Sequence, residues 1–499
     1  MRYIDVPRQV NISEILNNKA SFSPHNYKKV ILKGAKSRTV KDFLSGEPMN
    51  GEEVGSDAYL RKSHKFFIRN KALQPDSLLL NLSSDSIIPI LPSKFIDLKL
   101  QEGDLIISKD SNIGETIILE KDYPNYMLSG GLYKLPVTEN KYYLLAFLKH
   151  DFFKAQLNFL VSRGATILHA KKLFLDCLIP LPNQKNSDQV IEYLELLTKL
   201  VINKEKKIKE NESQIFSLIE DELLSNQVKK DFTYKFPDLQ QILLTSRIDA
   251  GFYCEDYVKK QFLIKNYIKG AGTIYDWNFD IGRGQNLQVS AIGNSIYSEE
   301  KKENFYTLVR PTNLSDFGTI TKYEYLGNSR RLSTISEGDI IFSAEGSVGK
   351  CIMFADPEER TLTNIHGIVL NKKDHNKIES AFVCCFLRYL RALGILDYIS
   401  VGGQGGSLAM KYWNEVKISL FSGPKQKEIA QKYYAPVNYE ITTDDFTTVE
   451  SQDNGFNERL GILQLDEQVK ILRERVREII DTIINGDEVE TDFSFISKF

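Results

Sequence analysis

Few residues in this chain combine a type and a spacing that chemistry could use. Pro75-Asp76 and Pro237-Asp238 set a carboxylate beside a proline, but neither has an acidic-x-Lys partner at nuclease spacing, so both read as turns. Gly346-Ser-Val-Gly349-Lys350 has the composition of a phosphate loop, yet two residues rather than four separate its glycines. Its counterpart at Ser111–Glu115 has no lysine. Gly282-Arg283-Gly284 is a lone GxG and also reads as a turn. There is no Asn/Asp-Pro-Pro-aromatic motif and no glycine-rich loop for a methyl donor. The six histidines form no HxxxH or HExxH pair, so no metal site is expected. Five cysteines, odd in number and without CxxC spacing, are expected to be free, buried thiols. The expectation is a binding protein with no catalytic residues, metal or cofactor of its own.

Composition agrees with a globular protein of at least two domains: 499 residues, 42% hydrophobic and 26% charged. No signal-peptide core and no 18-residue apolar run is present, so a cytoplasmic protein without membrane contact is expected. The net charge of −2 hides a division. Residues 437–499 carry 15 acidic and 6 basic side chains, a net of −9, which leaves +7 on the remainder. A mildly basic body permits contact with nucleic acid without requiring it.

The elements that would position any binding residue begin with a long helix over 186–227. Leu194, Val201, Ile208 and Ile215 recur seven apart, with Leu197 and Leu218 on the adjoining seam and no Gly or Pro between. Such a helix needs a partner. One is available where Leu465, Val469, Leu472, Val476, Ile479 and Ile483 alternate spacings of four and three.

The rest of the chain is a duplication. Gly103-Asp-Leu-Ile-Ile-Ser-Lys-Asp-Ser-Asn-Ile-Gly114 matches Gly338-Asp-Ile-Ile-Phe-Ser-Ala-Glu-Gly-Ser-Val-Gly349 without a gap. Further landmarks keep the same order: Phe67-Ile68-Arg69 against Leu308-Val309-Arg310, Ala146–Leu148 against Cys385–Leu387, and Ile179–Pro182 against Ile418–Phe421. Each half reads as an α+β unit: a Gly-Asp turn and hairpin, a helical stretch (142–157, 380–396), a glycine-bearing loop (162–166, 402–407) and a short strand leading to a helix. The fold class expected is α+β, with two repeated domains separated by a long antiparallel two-helix coiled coil and related by a pseudo-two-fold axis. Its divisions are 1–185, a spacer helix at 186–229, 230–424, a C-terminal spacer region at 425–490 with an acidic insert at 435–456, and a tail at 491–499. A parallel homodimeric coiled coil is the competing arrangement.

Two inverted modules suit a bipartite site on double-stranded DNA, with lysines and arginines on phosphates and a few polar side chains on base edges. Candidates in the first half are Lys62, Lys65, Arg69, Arg163 and Lys171, with Arg61 beside them. In the second half they are Arg283, Arg310, Asn313, Lys350, Gln404 and Lys411, with Arg330 and Arg331. Each competes with the plainer role of a solvated surface charge. Arg69 and Arg310 stand out by their matched positions.

This pattern resembles the specificity (S) subunit of type I restriction–modification systems. The resemblance covers nearly the whole chain. It rests on the paired Gly-Asp elements, on Arg247-Ile-Asp-Ala-Gly-Phe-Tyr253, on the Ile179–Pro182 exit, on Pro424-Lys-Gln-Lys-Glu-Ile429 and on the two helices. It implies two target recognition domains, each reading half of a split DNA sequence, and a coiled coil that docks two methyltransferase subunits. It places S-adenosylmethionine on those partners, with restriction and translocation subunits joining the complex. Three features depart from the family: the 435–456 insert, Lys19-Ala-Ser-Phe22 where an Arg-Ile-Asp-Ala motif would fall, and no tryptophan entry in the first half, whereas Trp277 serves in the second. A protein–protein adaptor with duplicated domains, or the recognition subunit of another phage-defence or split restriction–methylation system, remain as alternative readings.

Overall fold

The computed structural model describes residues 3–496 except 18–19, 21, 23–26, 34–35, 161–170, 230, 403–405, 442 and 444. The chain divides into two compact units. Unit one comprises residues 1–206, 438–458 and 467–499; unit two comprises 207–437 and 459–466.

In unit one the strands of the two larger sheets are β1 (Met49–Asn50), β2 (Phe66–Ile68), β3 (Ile87–Pro89), β4 (Leu105–Ser108), β5 (Thr116–Ile118), β6 (Tyr126–Leu128) and β7 (Leu132–Leu135). They form an antiparallel sheet in the order β1-β7-β4-β5 and a second sheet β3-β2-β6, in which β2 and β6 run parallel. Unit two repeats the arrangement. The strands of its two larger sheets are β8 (Phe279–Arg283), β9 (Ile296–Ser298), β10 (Tyr306–Leu308), β11 (Glu324–Gly327), β12 (Ile340–Ser343), β13 (Cys351–Met353), β14 (Thr361–Leu362) and β15 (Gly367–Lys372). The sheets are β8-β15-β12-β13 and β9-β11-β10-β14, the β10–β14 pair again parallel. Strand for strand the two topologies agree, with β9 added at one edge of unit two.

The repeated motif is what this frame requires. Gly103 and Gly338 sit at φ +82° and +81°, where a side chain would be strained, and each N–H donates across the hairpin, to Leu119 and Phe354, at 2.8 Å. The following aspartates close the turn: Asp104 accepts from the Gln101 N–H at 2.7 Å and Asp339 from that of Ser336 at 2.8 Å. At the far end of the hairpin, a Cβ on Gly114 or Gly349 would lie 2.4 Å from Leu157 Cδ1 or 2.5 Å from Leu396 Cδ1. The strands between are buried on every residue, which is why they read as unbroken apolar runs. Ile106 and Ile117 pack with Leu73, Leu100 and Leu128 in unit one, and Ile341 and Ile352 with Val309 and Leu314 in unit two.

Each helical stretch expected after the sheet is broken. In unit one α1 (Lys141–Lys149) and α2 (Asp151–Leu160) are separated by His150, which is extended at φ −78°, ψ 150°. In unit two α4 (Lys377–Ala392) stops before Gly394 at φ +71°, and Ile395–Ile399 resumes. The long helix, α3 (Ser187–Ser225), is continuous; residues to Lys206 belong to unit one and the rest to unit two. Leu194, Val201, Ile208 and Ile215 are buried, but beyond them Ile219 and Leu223 are buried while Leu218 is only half-buried. A straight helix drifts about 20° per heptad, which moves the buried stripe off the seven-residue repeat.

The C-terminal region is three helices: α5 (Gly423–Tyr433), α6 (Phe446–Asn457), which lies mostly within the acidic insert, and α7 (Ile462–Asn485). On α7, Leu465, Val469, Leu472, Ile479 and Ile483 are buried and Val476 is half-buried. Within unit one the contacts of α3 run in the opposite sense along the C-terminal chain. Tyr193 meets Phe493, ring centroids 5.2 Å apart, and Glu205 meets Arg473 on α7. In unit two the Asn211 carboxamide donates to the Leu460 carbonyl at 3.1 Å.

The Arg247 motif is a structural clamp in unit two. Its guanidinium is buried, lies 4.3 Å from the Phe252 ring and 4.8 Å from that of Tyr412, and donates to the Asp249 carboxylate and to the Tyr398 carbonyl. The tryptophan missing from the first half has a counterpart. Thr39 and Asp42 form a capping box that repeats at Thr273 and Asp276, and Phe43 is buried after the first as Trp277 is after the second.

Candidate nucleic-acid interface

Register defines matching sites at the ends of the two antiparallel sheets. Asn50 pairs with Tyr133, and Arg283 pairs with Ile368. Each is followed by a glycine pressed against neighbouring backbone. A Cβ on Gly51 would lie 2.2 Å from the Ser129 carbonyl oxygen, and one on Gly284 2.1 Å from that of Asn364. Only glycine permits this approach, and it fixes the backbone of the residue before it. The Gly-Arg-Gly reading is thereby corrected: Gly282 and Arg283 end a strand and are not a turn.

Around Arg283 the elements of unit two converge. The Glu345 carboxylate on the hairpin tip lies 3.7 Å from the guanidinium and 2.8 Å from His366 Nδ1. The glycine loop closes on the same tip, because the Gly346 N–H donates to Gly406 at 3.3 Å and the Leu408 N–H to Ala344 at 2.9 Å. Arg283, Glu345 and His366 all stay exposed, their side chains at 41%, 40% and 61%. In unit one the equivalent tip carries Lys109 and Asp110, with the Lys109 ammonium 5.1 Å from the ring of Tyr133, the cross-strand partner of Asn50.

The other sequence candidates are dispersed. Lys62 and Lys171 are exposed. Lys65 lies 3.8 Å above the Phe95 ring and donates to Asn125 at 3.0 Å. Arg69 donates to the Asp85 carbonyl at 3.2 Å. Arg310 pairs with Glu324 at 2.8 Å, and the buried Asn313 donates to the Lys322 carbonyl at 3.0 Å, so the matched arginines differ in what holds them. Lys350 faces Asp316 at 3.3 Å, and Lys411 is exposed on a short 3₁₀ turn. Arg163 and Gln404 fall outside the described residues.

Asn50, Glu345 and His366 were missed by sequence reasoning. The available signal was the Asn50-Gly51 and Arg283-Gly284 pairing, invisible until the strands are placed.

Strongly shifted ionisable groups lie elsewhere and hold the fold. Burial lowers Lys149 on α1 to about 8, against the pull of Glu115 at 3.1 Å. Burial also lowers Arg388 on α4 to about 10; its guanidinium pairs with Glu212 of α3 and lies 4.9 Å from the Tyr433 ring. Lys204 of α3 is fully buried against α6. It reaches Asp453 at 2.6 Å and Asn457 at 2.8 Å, with the Tyr439 hydroxyl on the same carboxylate. Burial lowers the Lys204 ammonium and the Asp453 charge opposes that shift. Among the described residues no cluster of His, Cys, Asp and Glu could hold a metal ion, all five cysteines are free, and no helix is long and apolar enough to cross a membrane.

The described residues thus form a duplicated pair of two-sheet units, one of which exposes an arginine, a carboxylate and an imidazole at its sheet end. Residues 288–435, from just before β9 through α5, match the family described as the type I restriction modification DNA specificity domain. The match lies wholly within unit two and covers less than a third of the chain. Three solved structures are also similar. The S subunit of a type I restriction–modification system from M. genitalium is 13% identical, with 91% of this chain and 96% of that one covered and a TM-score of 0.37. The HsdS subunit from Thermoanaerobacter tengcongensis is 14% identical over 91% and 97%, with a TM-score of 0.27. A chain from a study of type I assembly and conformational transition is 14% identical over 92% and 99%, with a TM-score of 0.28. No curated protein matches the chain.

Proposed function

We propose that this chain is the DNA-specificity subunit of a type I restriction–modification complex, in which each unit reads one half of a bipartite duplex site. The observation that carries this is the duplication itself: the two-sheet frame of the unit holding the specificity domain recurs, strand for strand, in the other. Two frames of one design, with different side chains at the same sheet end, suit a split and asymmetric sequence. Phosphate contacts fall to the exposed Lys62, Lys171 and Lys411, to Lys65, Arg69, Arg310, Asn313 and Lys350 as far as each can leave its internal partner, and to Arg163 and Gln404, which lie outside the described residues.

The scaffold in this reading is an antiparallel coiled coil of α3 and α7, seamed by Leu194, Val201, Ile208 and Ile215 against Leu465, Val469, Leu472, Val476, Ile479 and Ile483. It supports two methyltransferase subunits, which bring S-adenosylmethionine, and restriction subunits join the same complex. The chain itself supplies recognition and no chemistry. The test is duplex binding by the chain with its methyltransferase partners over a range of salt. The logarithm of affinity should fall linearly with the logarithm of salt, by roughly 0.9 per phosphate neutralised. Affinity independent of salt, with an intact complex, would favour the adaptor reading.

A further inference from the structure

Resting on that DNA reading, we infer that Asn50 and Arg283 are corresponding base-reading side chains, Asn50 directed to adenine in an A·T pair and Arg283 to guanine in a G·C pair. The two residues stand at one position of a duplicated sheet, each on the strand beside the central pair and each opposite the second residue of its partner strand. Both are exposed, and both are held by a glycine that cannot accept a Cβ. A readout side chain needs such a rigid base, since a loosely placed donor loses discrimination.

The chemistry at the two positions differs in the way the major groove differs. An asparagine carboxamide pairs with the N6 and N7 edge of adenine, and a guanidinium with O6 and N7 of guanine. Arg283 is accompanied by Glu345 at 3.7 Å, whose carboxylate can accept from the cytosine amino group of the same or the next pair. His366, 2.8 Å from the other side of that carboxylate, helps to aim it. As a stabilising device this cluster would accomplish little, because an exposed ion pair contributes only about 0–1 kcal/mol. Arranged on an open sheet end, it is a donor beside an acceptor at base-pair scale.

The experiment is selection of bound duplexes from a randomised pool by the full chain with its methyltransferase partners, wild type against Asn50→Arg, Arg283→Asn, Arg283→Ala and Glu345→Gln. The wild type should enrich two specified blocks. Arg283→Asn should change one position in one block from G·C to A·T, and Asn50→Arg should make the reverse change in the other block. Arg283→Ala should lower the preference at its position by roughly ten- to hundredfold, the scale of one bidentate contact. Glu345→Gln should weaken the same position by less. Thermal melts keep folding separate, and no change is expected for these exposed sites. Variants that still enrich the wild-type blocks unchanged would overturn this assignment and leave the specificity reading standing. A wild type that enriches no sequence would overturn both.

Discussion

Units one and two build the same pair of sheets and then secure and equip them differently. In unit one the α3 segment is gripped through Glu205, whose carboxylate accepts from the Leu78 N–H at 2.9 Å and pairs with Arg473, and through Lys204, buried against Asp453. In unit two the α3 segment is gripped through Glu212, which meets the buried Arg388. At the sheet ends Asn50 stands against Arg283, and Asp110 against Glu345. What stays constant is backbone geometry: the positive-φ glycines, the turn aspartates and the close approaches at Gly51 and Gly284. What varies is exposed or is a charge with a locally supplied partner. A duplicated frame can therefore change what it binds without changing how it folds.

The sharpest break in the comparison is Lys204, because in unit one α3 supplies a buried cation where in unit two it supplies the Glu212 carboxylate. Replacing it by alanine strands Asp453 in the interior and should cost about 3–5 kcal/mol, the usual penalty for breaking a buried pair. The double change Lys204→Met with Asp453→Leu should recover most of that loss. Urea unfolding followed by tryptophan-independent circular dichroism would measure both. A double variant no more stable than the single would show that the pair's hydrogen bonds to Tyr439 and Asn457 matter more than its charges.

The shared frame predicts equal damage at matched glycines. Gly51→Ala and Gly284→Ala each force a methyl against a carbonyl oxygen and should each destabilise by about 1–3 kcal/mol. A large difference between the two melts would mean that the frames are not equivalent there. By contrast, Arg283→Ala should change stability by less than about 1 kcal/mol, because its ion pair is exposed.

A smaller effect separates the units by pH. Burial works to raise the Glu115 carboxyl, but Lys149 and Lys154 overcome it and hold the group below its ordinary value. A carboxylate depressed in the folded state stabilises at pH above its unfolded value, and that contribution is lost as pH falls through the acid range. Unit two has Lys350 at the matching position. Acid titration of Glu115→Gln should therefore show a shallower loss of stability below about pH 4.5 than the wild type. Identical acid profiles would remove Glu115 from the account.

Much of the frame was legible because it repeats or is periodic. Leu194 to Ile215 mark α3 by spacing alone, and the Gly103 and Gly338 elements identify each other. The sites were less legible. β1 is two residues long and β8 contains Gly282, so neither carries a strand pattern; both exist through long-range pairing with β7 and β15. Helix α6 hid for a related reason. Its buried contacts include Asp453 and Asn457, residues that read as surface until Lys204 is brought to them.

The central claim is that two equivalent units each read one half of a split DNA site. The most direct measurement is sequencing of methylated adenines in a host that expresses this chain with a methyltransferase that binds it, before and after unit two's residues 271–419 are replaced by those of a homologue. The account predicts one motif of two specified blocks with an unspecified gap, of which only one block changes on replacement. A single continuous motif, or a replacement that alters both blocks together, would contradict it.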